Sequence, residues 1–522
     1  MQGGSDRRTR GRVVMLVDNG VNGDSRVQKI ARSAAEAGWE VILLGILGKD
    51  VVEDHWHIGD AQVRLIEVKP HLAARPFWSP RRPLAMPSGP RAAYRQRAVR
   101  AREVDISYRY AQIKFARAAG GSRWAELFAQ GRLLVPRVLT KVRSRWLKFR
   151  RGEQQRLRKA RANPRSPFTA LPIALWGRLL GPRGWRRLHP QLWEYVLAFG
   201  PVVQDLKPDL IHAHDFRMTG VAARSAARLR AAGHPVKWVW DAHEFVAGVM
   251  PRADNPRWLP AHVAYEKEHG PQADAVITVS PTLAELLREV HGLAARPEIV
   301  LNAPVCFPKE SDGDTAPPDL RALCGVGPDT PLLVYSGSVN PVRGVDVMID
   351  ALPSLPGAHV ALVAMQPGMR NAAIEALRKR SAKLGVADRV HLLPYVPHWQ
   401  VVPFLAGADI GVIPIHHQMN HEIALITKFF EYSHARLPIV VSDVRTMSET
   451  VRATGQGEVF PAGDVSAFVS AVRAVLADPA RYRAAYDSPG LLEQWTWEAQ
   501  AEVLEGIYRR LLPDRVPAAE VG

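Results

Sequence analysis

The stretch RVVMLVDNGVNGDSRVQKIARSAAEAGWEVILLG, residues 12–45, decides the fold. The five residues after Arg12 form an apolar run, typical of a buried parallel strand, and Asp24 stands where a helix N-cap would. A helix is predicted from Ser25 to Ala37, ended by Gly38, and a second strand over Val41–Gly45. This β-α-β unit predicts a doubly wound α/β domain. It lacks a full G-x-G-x-x-G, so it does not predict a dinucleotide site.

The same alternation returns twice further along the chain. Strands are predicted at 209–214, 237–244, 275–280 and 299–302, and again at 332–337, 359–364, 390–393, 410–414 and 439–442. A Pro-rich, acidic stretch separates the two series. We therefore predict two α/β domains facing across a cleft, with these boundaries: an N-terminal domain at 11–74 and 191–303, a basic insertion at 75–190, a linker at 304–319, a C-terminal domain at 320–490 and a last helix at 491–513.

The charge of the chain is concentrated in the insertion. The 522 residues carry a net charge of +18, but residues 75–187 alone hold 29 Lys and Arg against four acids. That region is therefore +25, which leaves −7 for the rest of the chain. The remainder has the mildly acidic balance of a common cytosolic enzyme.

The insertion has helical patterns with five tryptophans among the Arg and Lys: Trp78, Trp124, Trp146, Trp176 and Trp185. Basic amphipathic helices with Trp suit an anionic membrane surface. The alternatives are a helical insertion packed on the main domain with solvated charges, and a nucleic-acid contact. The prediction carried forward has no nucleic-acid partner and keeps the anionic membrane surface as a partner.

Several protein classes are excluded by composition. Two cysteines, Cys306 and Cys324, do not make a disulfide scaffold or a four-Cys zinc site. No apolar run is long enough to span a membrane, and Val13–Val17 is too short for a signal-peptide core. The sequence thus predicts a cytoplasmic protein, peripheral at the inner face of the cell membrane.

Two segments of the second domain carry the chemistry. The first, YSGSVNPVRGVD at 335–346, puts a flexible turn and Arg343 directly after a strand, which suits a diphosphate. The second, HEIALITKFFEY at 421–432, feeds a helix N-terminus that favours anions, with Lys428 in its first turn. Glu431 is a turn further in, where it could accept hydrogen bonds from sugar hydroxyls. The alternatives are that residues 335–346 form an ordinary β-α loop with no ligand and that Glu431 is a solvated helix glutamate.

These segments resemble glycosyltransferase family 4, whose fold is GT-B. The resemblance covers residues 12–70 and 200–513 and includes further segments in the family order: DSRVQK at 24–29, DLIHAHD at 209–215, ADAVITVS at 273–280, VLN at 300–302, Gly463-Asp464 and Trp497-Glu498. It implies a retaining transferase that uses a nucleotide-diphosphate-sugar. The donor would lie mostly on the second domain and the acceptor on the first. The last helix would cross back onto the first domain.

Site residues follow from the resemblance. It implies positioning and catalytic roles for His214 and Glu431. Donor contacts would come from Gly337, Ser338, Arg343, Thr427, Lys428 and Glu431, and acceptor-side contacts from Asn19, Gly23, Asp24, Arg26 and His243. Two positions depart from the family. Ser338 replaces the first cation of the diphosphate pair, and Ile423 replaces the first glutamate of the E-x7-E pattern, with Glu422 one residue away.

No cofactor and no metal is predicted. The histidine clusters at 212–243 and 416–421 lack a recognised ligand spacing, and Asp312-Gly313-Asp314 lies in the linker with no strand before it. The predicted function is a glycosyltransferase of polysaccharide biosynthesis, acting on a lipid-linked or cell-surface glycan at the cytoplasmic membrane face. Because of the two departures, a non-catalytic nucleotide-sugar-binding protein and a nucleotide-sugar epimerase of the same fold stay as alternatives.

Overall fold

A computed structural model describes residues 10–48, 53–69, 90–162, 167–252, 255–306, 316–365, 371–397 and 399–515. The chain divides into two compact units. The first contains residues 1–70, 180–250 and 261–522, and the second contains residues 71–179 and 251–260. The segment Asp312–Asp314 and most of the predicted linker lie outside the described residues, as does Trp78.

Two sheets organise the first unit. The strands of the first sheet are β1 (Arg12–Leu16), β2 (Glu40–Ile46), β3 (His55–Ile58), β4 (Ala61–Ile66), β5 (Leu210–His214), β6 (Lys237–Ala242), β7 (Ala275–Thr278) and β8 (Glu298–Ile299). Those of the second are β9 (Leu332–Ser336), β10 (His359–Met365), β11 (Val390–Pro394), β12 (Ile410–Ile413), β13 (Ile439–Ser442) and β14 (Gly457–Phe460). We call residues 10–69, 180–250 and 261–303 the N-terminal lobe and residues 316–495 the C-terminal lobe.

The helices alternate with the strands in both lobes, and three long ones form the second unit. In chain order they are α1 (Ser25–Glu36), α2 (Pro90–Ala118), α3 (Arg123–Ala162), α4 (Pro167–Leu180), α5 (Trp185–Leu188), α6 (Leu192–Leu206), α7 (Asp215–Ala231), α8 (Trp258–His269), α9 (Pro281–His291), α10 (Leu320–Cys324), α11 (Asp346–Ala351), α12 (Ala372–Lys383), α13 (Val401–Leu405), α14 (Met419–Glu422), α15 (Thr427–His434), α16 (Arg445–Thr454), α17 (Val465–Ala477), α18 (Pro479–Ala484) and α19 (Trp497–Leu511).

The opening β-α-β unit forms as its sequence predicts. After Arg12, every residue of β1 is buried, and β1 pairs in parallel with β2 on one side and β5 on the other. The side chain of Asp24 accepts a hydrogen bond from the backbone N–H of Val27 at 3.3 Å, so it caps α1. The predicted fold class is confirmed: both lobes are doubly wound α/β layers.

The strand orders place a crevice in each lobe. The sheets run β3-β4-β2-β1-β5-β6-β7-β8 and β11-β10-β9-β12-β13-β14, and among these described strands only β3 is antiparallel to its neighbour. The chain reverses its winding direction between β1 and β5, and again between β9 and β12. Ligands of open α/β sheets bind at such switch points, at the carboxyl ends of the strands. The loops after β1, β5, β9 and β12 are therefore the candidate binding loops.

The last described helix packs on the N-terminal lobe. Trp497 at the start of α19 donates its indole N–H to the hydroxyl of Ser33 at 2.8 Å, and Trp39 donates to Glu505 at 2.8 Å. Trp497 and Tyr508 are buried in the same apolar cluster as Val13 and Met15 of β1. Helix α19 therefore completes the core of a lobe whose strands come much earlier in the chain.

The second unit contains α2, α3 and most of α4. Residues 180–190 belong to the first unit rather than to the insertion, and Trp185 is fully buried there. Pro172 lies inside α4 and Pro136 inside α3. Among the described residues, no helix combines the length and apolar character needed to cross a membrane.

Three strands are absent from the sequence analysis: β3, β4 and β14. Strands β3 and β4 form a hairpin around Gly59, which has a φ of +57°. The pattern of β4 alternates between buried and exposed residues, which is a strand signal; β3 also alternates, with exposed histidines and half-buried Trp56 and Ile58, but it has only four residues. Sheet edges such as β3 and β14 contain few of the apolar residues that identify a strand.

Candidate active site

In the C-terminal lobe, the loop after β9 turns sharply at two glycines. Gly337 has a φ of +120° and Gly344 a φ of +62°, a region of backbone space that suits glycine. A Cβ on Gly344 would lie 2.0 Å from the carbonyl oxygen of Pro414. The loop after β9 and the loop after β12 thus approach each other closely, and the backbone N–H of His416 donates to Val342 at 3.0 Å.

Arg343 lies in this turn beside His421. The Nδ1 of His421 contacts the carbonyl oxygen of His416 at 2.7 Å, so that nitrogen carries the proton, and Nε2 faces an Arg343 guanidinium nitrogen at 3.5 Å. Burial lowers the pKa of His421, which favours this neutral form. The Nε of Arg343 is buried without a hydrogen-bond partner among the described residues, and Arg343 forms no ion pair there.

Lys428, the second residue of α15, stands over the same turn. Its Nζ lies 3.6 Å from the ring centroid of Tyr335, and a Cβ on Gly337 would come within 3.1 Å of that Nζ. Burial and the charge of Arg343 hold the pKa of Lys428 well below its usual range, although Glu431 opposes this. Two cations therefore share a small volume at the start of a helix, which is an arrangement that binds an anion.

Thr427 and Glu431 belong to the same helix. The Oγ1 of Thr427 accepts a hydrogen bond from the amide of Asn302 at 2.8 Å. Glu431 is half-buried, and burial raises its pKa against the opposing charges of Lys29 and Lys428. Ser338 is exposed, and its backbone carbonyl accepts a hydrogen bond from Tyr335. The structure thus brings together Gly337, Arg343, Thr427, Lys428 and Glu431, whereas the Ser338 side chain contributes no charge.

The position of the family's first glutamate is buried. Ile423 is 1% exposed and packs with apolar residues of the N-terminal lobe, and its carbonyl accepts a hydrogen bond from the Ser280 hydroxyl. Glu422 does not replace the missing carboxylate. One of its oxygens contacts Nδ1 of His417 at 2.6 Å and the other accepts the backbone N–H of Arg445 at 2.7 Å.

In the N-terminal lobe, Arg26 has a different position from the predicted one. The sequence analysis expects it to face the acceptor, whereas the structure buries it. Its guanidinium donates to both oxygens of Asp241, at 2.9 and 2.8 Å, and to the carbonyl of Val300 at 2.9 Å. All of these contacts are internal, so Arg26 neutralises Asp241 and ties α1 to β6.

His214 and His243 surround the same carboxylate. The Nδ1 of the fully buried His214 lies 3.0 Å from Asp241, while its Nε2 has no hydrogen-bond partner among the described residues. His243 is paired with Asp215 at 3.1 Å. Burial alone would lower the pKa of His243, but the carboxylates of Asp215 and Asp241 raise it well above its ordinary value. Asp215 itself has a φ of +62°, a strained conformation for aspartate.

The loop after β1 contains the other predicted acceptor-side residues. Asn19 accepts a hydrogen bond from the backbone N–H of Val21 at 2.7 Å and donates to Asp24 at 2.8 Å. Gly23 is exposed, with a φ of +86° and open space where a Cβ would be. Hydrogen bonds within the loop therefore hold Asn19 and Asp24 in place, whereas Gly23 is exposed with free space beside it.

His212, His214 and Asp241 could be considered as metal ligands, because their donor atoms lie within 4.8 Å of one another. The donor set does not fit a cation. Both oxygens of Asp241 already accept hydrogen bonds from Arg26, so a divalent ion would stand beside a guanidinium. His212 also hydrogen-bonds through Nδ1 to the Tyr508 hydroxyl at 2.6 Å. The absence of a metal stays a prediction.

The sequence analysis misses three residues that shape these sites: Asp241, Lys29 and Asn302. Asp241 follows the apolar run of β6, where a polar residue at a strand end marks a binding edge. Asn302 occupies the equivalent place after β8. Lys29 lies on the buried side of α1, four residues before the similarly oriented Ser33, and its charge at an apolar helix position was the available signal.

Two family models match the chain. A model described as "Glycosyltransferase Family 4" matches residues 160–303, and one described as "Glycosyl transferases group 1" matches residues 330–478. Together they cover more than half of the chain.

Curated relatives are glycosyltransferases. The D-inositol 3-phosphate glycosyltransferase 1 of Catenulispora acidiphila is 24% identical over 58% of this chain and 72% of its own length. The GDP-mannose-dependent alpha-(1-6)-phosphatidylinositol monomannoside mannosyltransferase of Mycolicibacterium smegmatis is 28% identical over 59% of this chain and 81% of its own.

Solved structures share the fold. Sucrose-phosphate synthase from Thermosynechococcus elongatus aligns with a TM-score of 0.60 at 16% identity, over 97% of this chain and all of that one. Anabaena HepE in complex with UDP-glucose aligns with a TM-score of 0.56 at 12% identity, over 96% of this chain and all of that one. Since the family models, the relatives and the two-lobed GT-B architecture agree, the chain belongs to the family 4 glycosyltransferases and is a glycosyltransferase.

Proposed function

We propose that this glycosyltransferase moves a sugar from a nucleotide-diphosphate-sugar to a lipid-linked or cell-surface glycan, with retention of the anomeric configuration. The observation that carries the proposal is that Arg343 and Lys428 lie close together at the start of α15. Neither cation forms an ion pair with a carboxylate within the described parts of the chain. Arg343 is half-buried and Lys428 is buried, so an anion bound between them would be stabilised by both groups, and a diphosphate supplies such an anion.

The chemistry needs electrostatic stabilisation of the leaving group. As the bond between the sugar and the diphosphate breaks, charge grows on the leaving phosphate oxygen, close to Arg343, Lys428 and the first N–H groups of α15. That same oxygen accepts the proton of the acceptor hydroxyl while the new glycosidic bond forms on the same face. Atoms balance without a second carboxylate, so the burial of Ile423 is compatible with transfer.

The remaining site residues would hold the sugar. Glu431 is the half-buried carboxylate nearest the two cations, and it can accept hydrogen bonds from sugar hydroxyls. His214 would present its unpartnered Nε2 to the sugar, because Asp241 fixes Nδ1. Both are proposed positioning groups, since the reaction described above requires no proton from either.

The relatives suggest the acceptor class. The two described above are named for inositol phosphate and for a phosphatidylinositol mannoside, one a phosphorylated polyol and the other a lipid. One is also named for GDP-mannose, while the UDP-glucose complex belongs to a structural neighbour. We propose a phosphorylated or lipid-linked acceptor and leave both nucleotides as donors to test.

We also propose that the enzyme works at a membrane face, on the cytoplasmic side, through helix α3. Apolar side chains between residues 124 and 149 share one side of this helix, over about 40 Å, and cover an arc of about 140°. All are more than half exposed: Trp124, Leu127, Phe128, Leu134, Val135, Val138, Leu139, Val142, Trp146 and Phe149. An exposed apolar surface of this extent indicates an interaction site.

Cations border this arc on both sides, and exposed Arg145 lies within it. Helical spacing puts Lys141 and Lys148 along one edge and Arg132 and Arg143 along the other. This is the distribution that interfacial helices use: apolar side chains enter the acyl boundary while Lys and Arg contact anionic headgroups. A lipid surface therefore matches both the apolar arc and its charged borders.

Transfer is tested with purified protein and a panel of UDP- and GDP-sugars, with the anomeric configuration of the product read by NMR. We expect nucleotide binding, release of the nucleoside diphosphate only with an acceptor, and a product of retained configuration. An epimerase would interconvert donors without any acceptor. Failure of every nucleotide-sugar to bind would contradict the proposal.

Membrane binding is tested by flotation with phosphatidylglycerol and phosphatidylcholine vesicles. We expect binding to the anionic vesicles that weakens with salt, and its loss in a Val138→Asp, Val142→Asp variant. The matched control is Leu323→Asp, because Leu323 is half exposed but lies on α10 of the C-terminal lobe. Equal binding to neutral vesicles, or self-association that the arc variant abolishes, would contradict the lipid assignment.

A further inference from the structure

Lys29 of α1 is a buried lysine that forms no ion pair with the described residues. Its Nζ donates a hydrogen bond to the side-chain oxygen of Asn302 at 3.0 Å and another to the carbonyl oxygen of Ala303. The ring of Trp497 lies 4.8 Å from the same Nζ. Lysine is seldom buried without a specific task, and the partners here are neutral.

The contact fixes the orientation of the Asn302 amide. The Nζ of Lys29 donates to the amide oxygen of Asn302, so the amide N–H₂ faces the other way. That N–H₂ donates to the Oγ1 of Thr427 at 2.8 Å. Because Oγ1 is already accepting, the hydroxyl proton of Thr427 is left for a different acceptor. Thr427 is the first residue of α15, where the diphosphate is proposed to bind.

We propose that Lys29 is a positioning residue of the donor site, which acts through Asn302 to hold the Thr427 hydroxyl as a hydrogen-bond donor to the diphosphate. The inference rests on the proposed function, since it assigns a ligand to that hydroxyl. It also couples the lobes: Lys29 and Asn302 belong to the N-terminal lobe, and Thr427 belongs to the C-terminal lobe. Two consecutive hydrogen bonds join the acceptor-side helix to the donor-side helix.

A second effect of Lys29 is electrostatic. Burial, with a smaller contribution from Arg26, lowers the pKa of Lys29 to about 7, while Glu431 raises it. Reciprocally, Lys29 lowers the pKa of Glu431 against the effect of burial. Removal of the lysine should therefore favour protonated Glu431 and move the acidic limb of the pH–rate profile to higher pH. A residue that only fills space would leave that limb in place.

The test is a double-mutant cycle on the KM for the nucleotide-sugar. Thr427→Val removes the hydroxyl at nearly constant shape, and Lys29→Met removes the ammonium. We expect each single variant to raise KM about tenfold, as for one hydrogen bond to a charged group. Measured above the acidic limb of the pH–rate profile, where Glu431 stays ionised in every variant, the double variant should be no worse than Thr427→Val alone. If the two effects multiply, Lys29 does not act through Thr427 and the inference is wrong.

A third variant reverses the hydrogen-bond direction. Asn302→Asp can accept from both Lys29 and the Thr427 hydroxyl, which would turn the hydroxyl proton away from the diphosphate. We expect a KM increase at least as large as that of Thr427→Val, with thermal stability retained because the introduced carboxylate would pair with Lys29. An unchanged KM in a folded variant would overturn the inference.

The matched control is Ser280→Ala, which also removes a hydrogen bond between the lobes, to the Ile423 carbonyl at 2.5 Å. Its effect should multiply with that of Thr427→Val, because Ser280 is not connected to Asn302. The two proposals fail in different ways. A wild-type protein that binds no nucleotide-sugar contradicts the proposed function, whereas normal wild-type turnover with a multiplicative cycle contradicts only the role of Lys29.

Discussion

Arg26 and Arg343 follow the first strands of their lobes, yet they have opposite surroundings. Arg26 is buried against Asp241, and every contact of its guanidinium that the structure describes is internal. Arg343 neighbours another cation, Lys428, and its Nε has no partner within the described chain. The first arginine is neutralised by the protein, whereas the second has no protein counter-ion among the described residues. An arginine that follows the first strand is thus structural in the N-terminal lobe and, under the proposed function, a binding group in the C-terminal lobe.

The difference follows from what a nearby strand contributes. In the N-terminal lobe, Asp241 near the end of β6, the second strand along the sheet from β1, supplies the counter-charge. In the C-terminal lobe the second strand from β9 is β13, and Asp443 directly after it contacts His417 and the backbone N–H of Ala462 instead of Arg343. Arg343 and Lys428 thus have no carboxylate partner among the described residues, and the proposed diphosphate would supply the missing counter-charge.

The largest expected effect concerns the N-terminal lobe, where the protein itself neutralises Arg26. Asp241→Asn removes the charge that pairs with buried Arg26, and we expect the free energy of unfolding to fall by about 3–5 kcal/mol. Chemical denaturation measures it. The combined variant Arg26→Met, Asp241→Leu should recover much of the loss, because it removes both charges of the buried pair. If the single variant is as stable as wild type, Arg26 is not held by this pair.

In the C-terminal lobe, where Arg343 has no protein counter-ion among the described residues, Arg343→Ala should lower kcat/KM about 100-fold or more. The substitution removes a cation from the developing charge of the leaving phosphate. Its thermal stability should be equal to or above that of wild type, because like-charge repulsion with Lys428 is relieved. Transfer kinetics and a melting curve measure both. A large loss of stability with normal kinetics would place Arg343 with Arg26, as a structural residue.

Gly337→Ala tests how closely the loop approaches Lys428. The left-handed φ alone should lower stability by about 1 kcal/mol. The new Cβ would also lie 3.1 Å from the Lys428 Nζ, so we expect weaker binding of nucleoside diphosphate. Gly357→Ala is the matched control, with a φ of +74° and open space around its Cβ. Titration calorimetry should separate them; equal affinities would contradict the predicted contact.

The smallest effect concerns His417, whose ring nitrogens lie 2.6 Å from Glu422 and 2.9 Å from Asp443. Two carboxylate partners require two N–H groups, and they raise the pKa of His417, chiefly through Glu422. Stability from a raised pKa is present below the unfolded value and is lost as pH rises through the folded one. His417→Gln should therefore be less stable than wild type at about pH 6 and nearly equal at about pH 9. A pH-independent difference would exclude this pairing.

The fold could be predicted from the sequence because buried parallel strands are continuous apolar runs, as in Val13–Val17 and Leu332–Ser336. Helix α1 was bounded by its cap and by Gly38. The edge strands were missed because residues such as His55 and His57 carry no apolar signal. The polar ends of strands could be recognised in the sequence. Which of these polar residues contact each other depends on the order of the strands in the sheet, and the contact between Asp241 and Arg26 is one that the sequence does not reveal.

Part of the proposed donor site could be predicted from the sequence. The sequence placed Gly337, Arg343 and Lys428 near one ligand through the family resemblance, and the structure brings them together. It could not show that Ile423 faces the apolar interior of the other lobe, because a buried isoleucine looks the same in either lobe. Nor could it show that the charge of Arg26 is neutralised within the protein, since its partner Asp241 lies 215 positions away in the sequence.

Helix α19 has a consequence for how the molecule is made. Its residues Trp497, Leu504, Ile507 and Tyr508 lie in the same apolar cluster as residues of β1 and β2 in the N-terminal lobe. During synthesis these side chains appear roughly 200 residues after the last strand of that lobe. At the usual 5–20 residues per second, the nascent lobe waits on the order of 10–40 s with that apolar groove uncovered. Until then, a chaperone or the ribosome surface would be the natural cover for the groove.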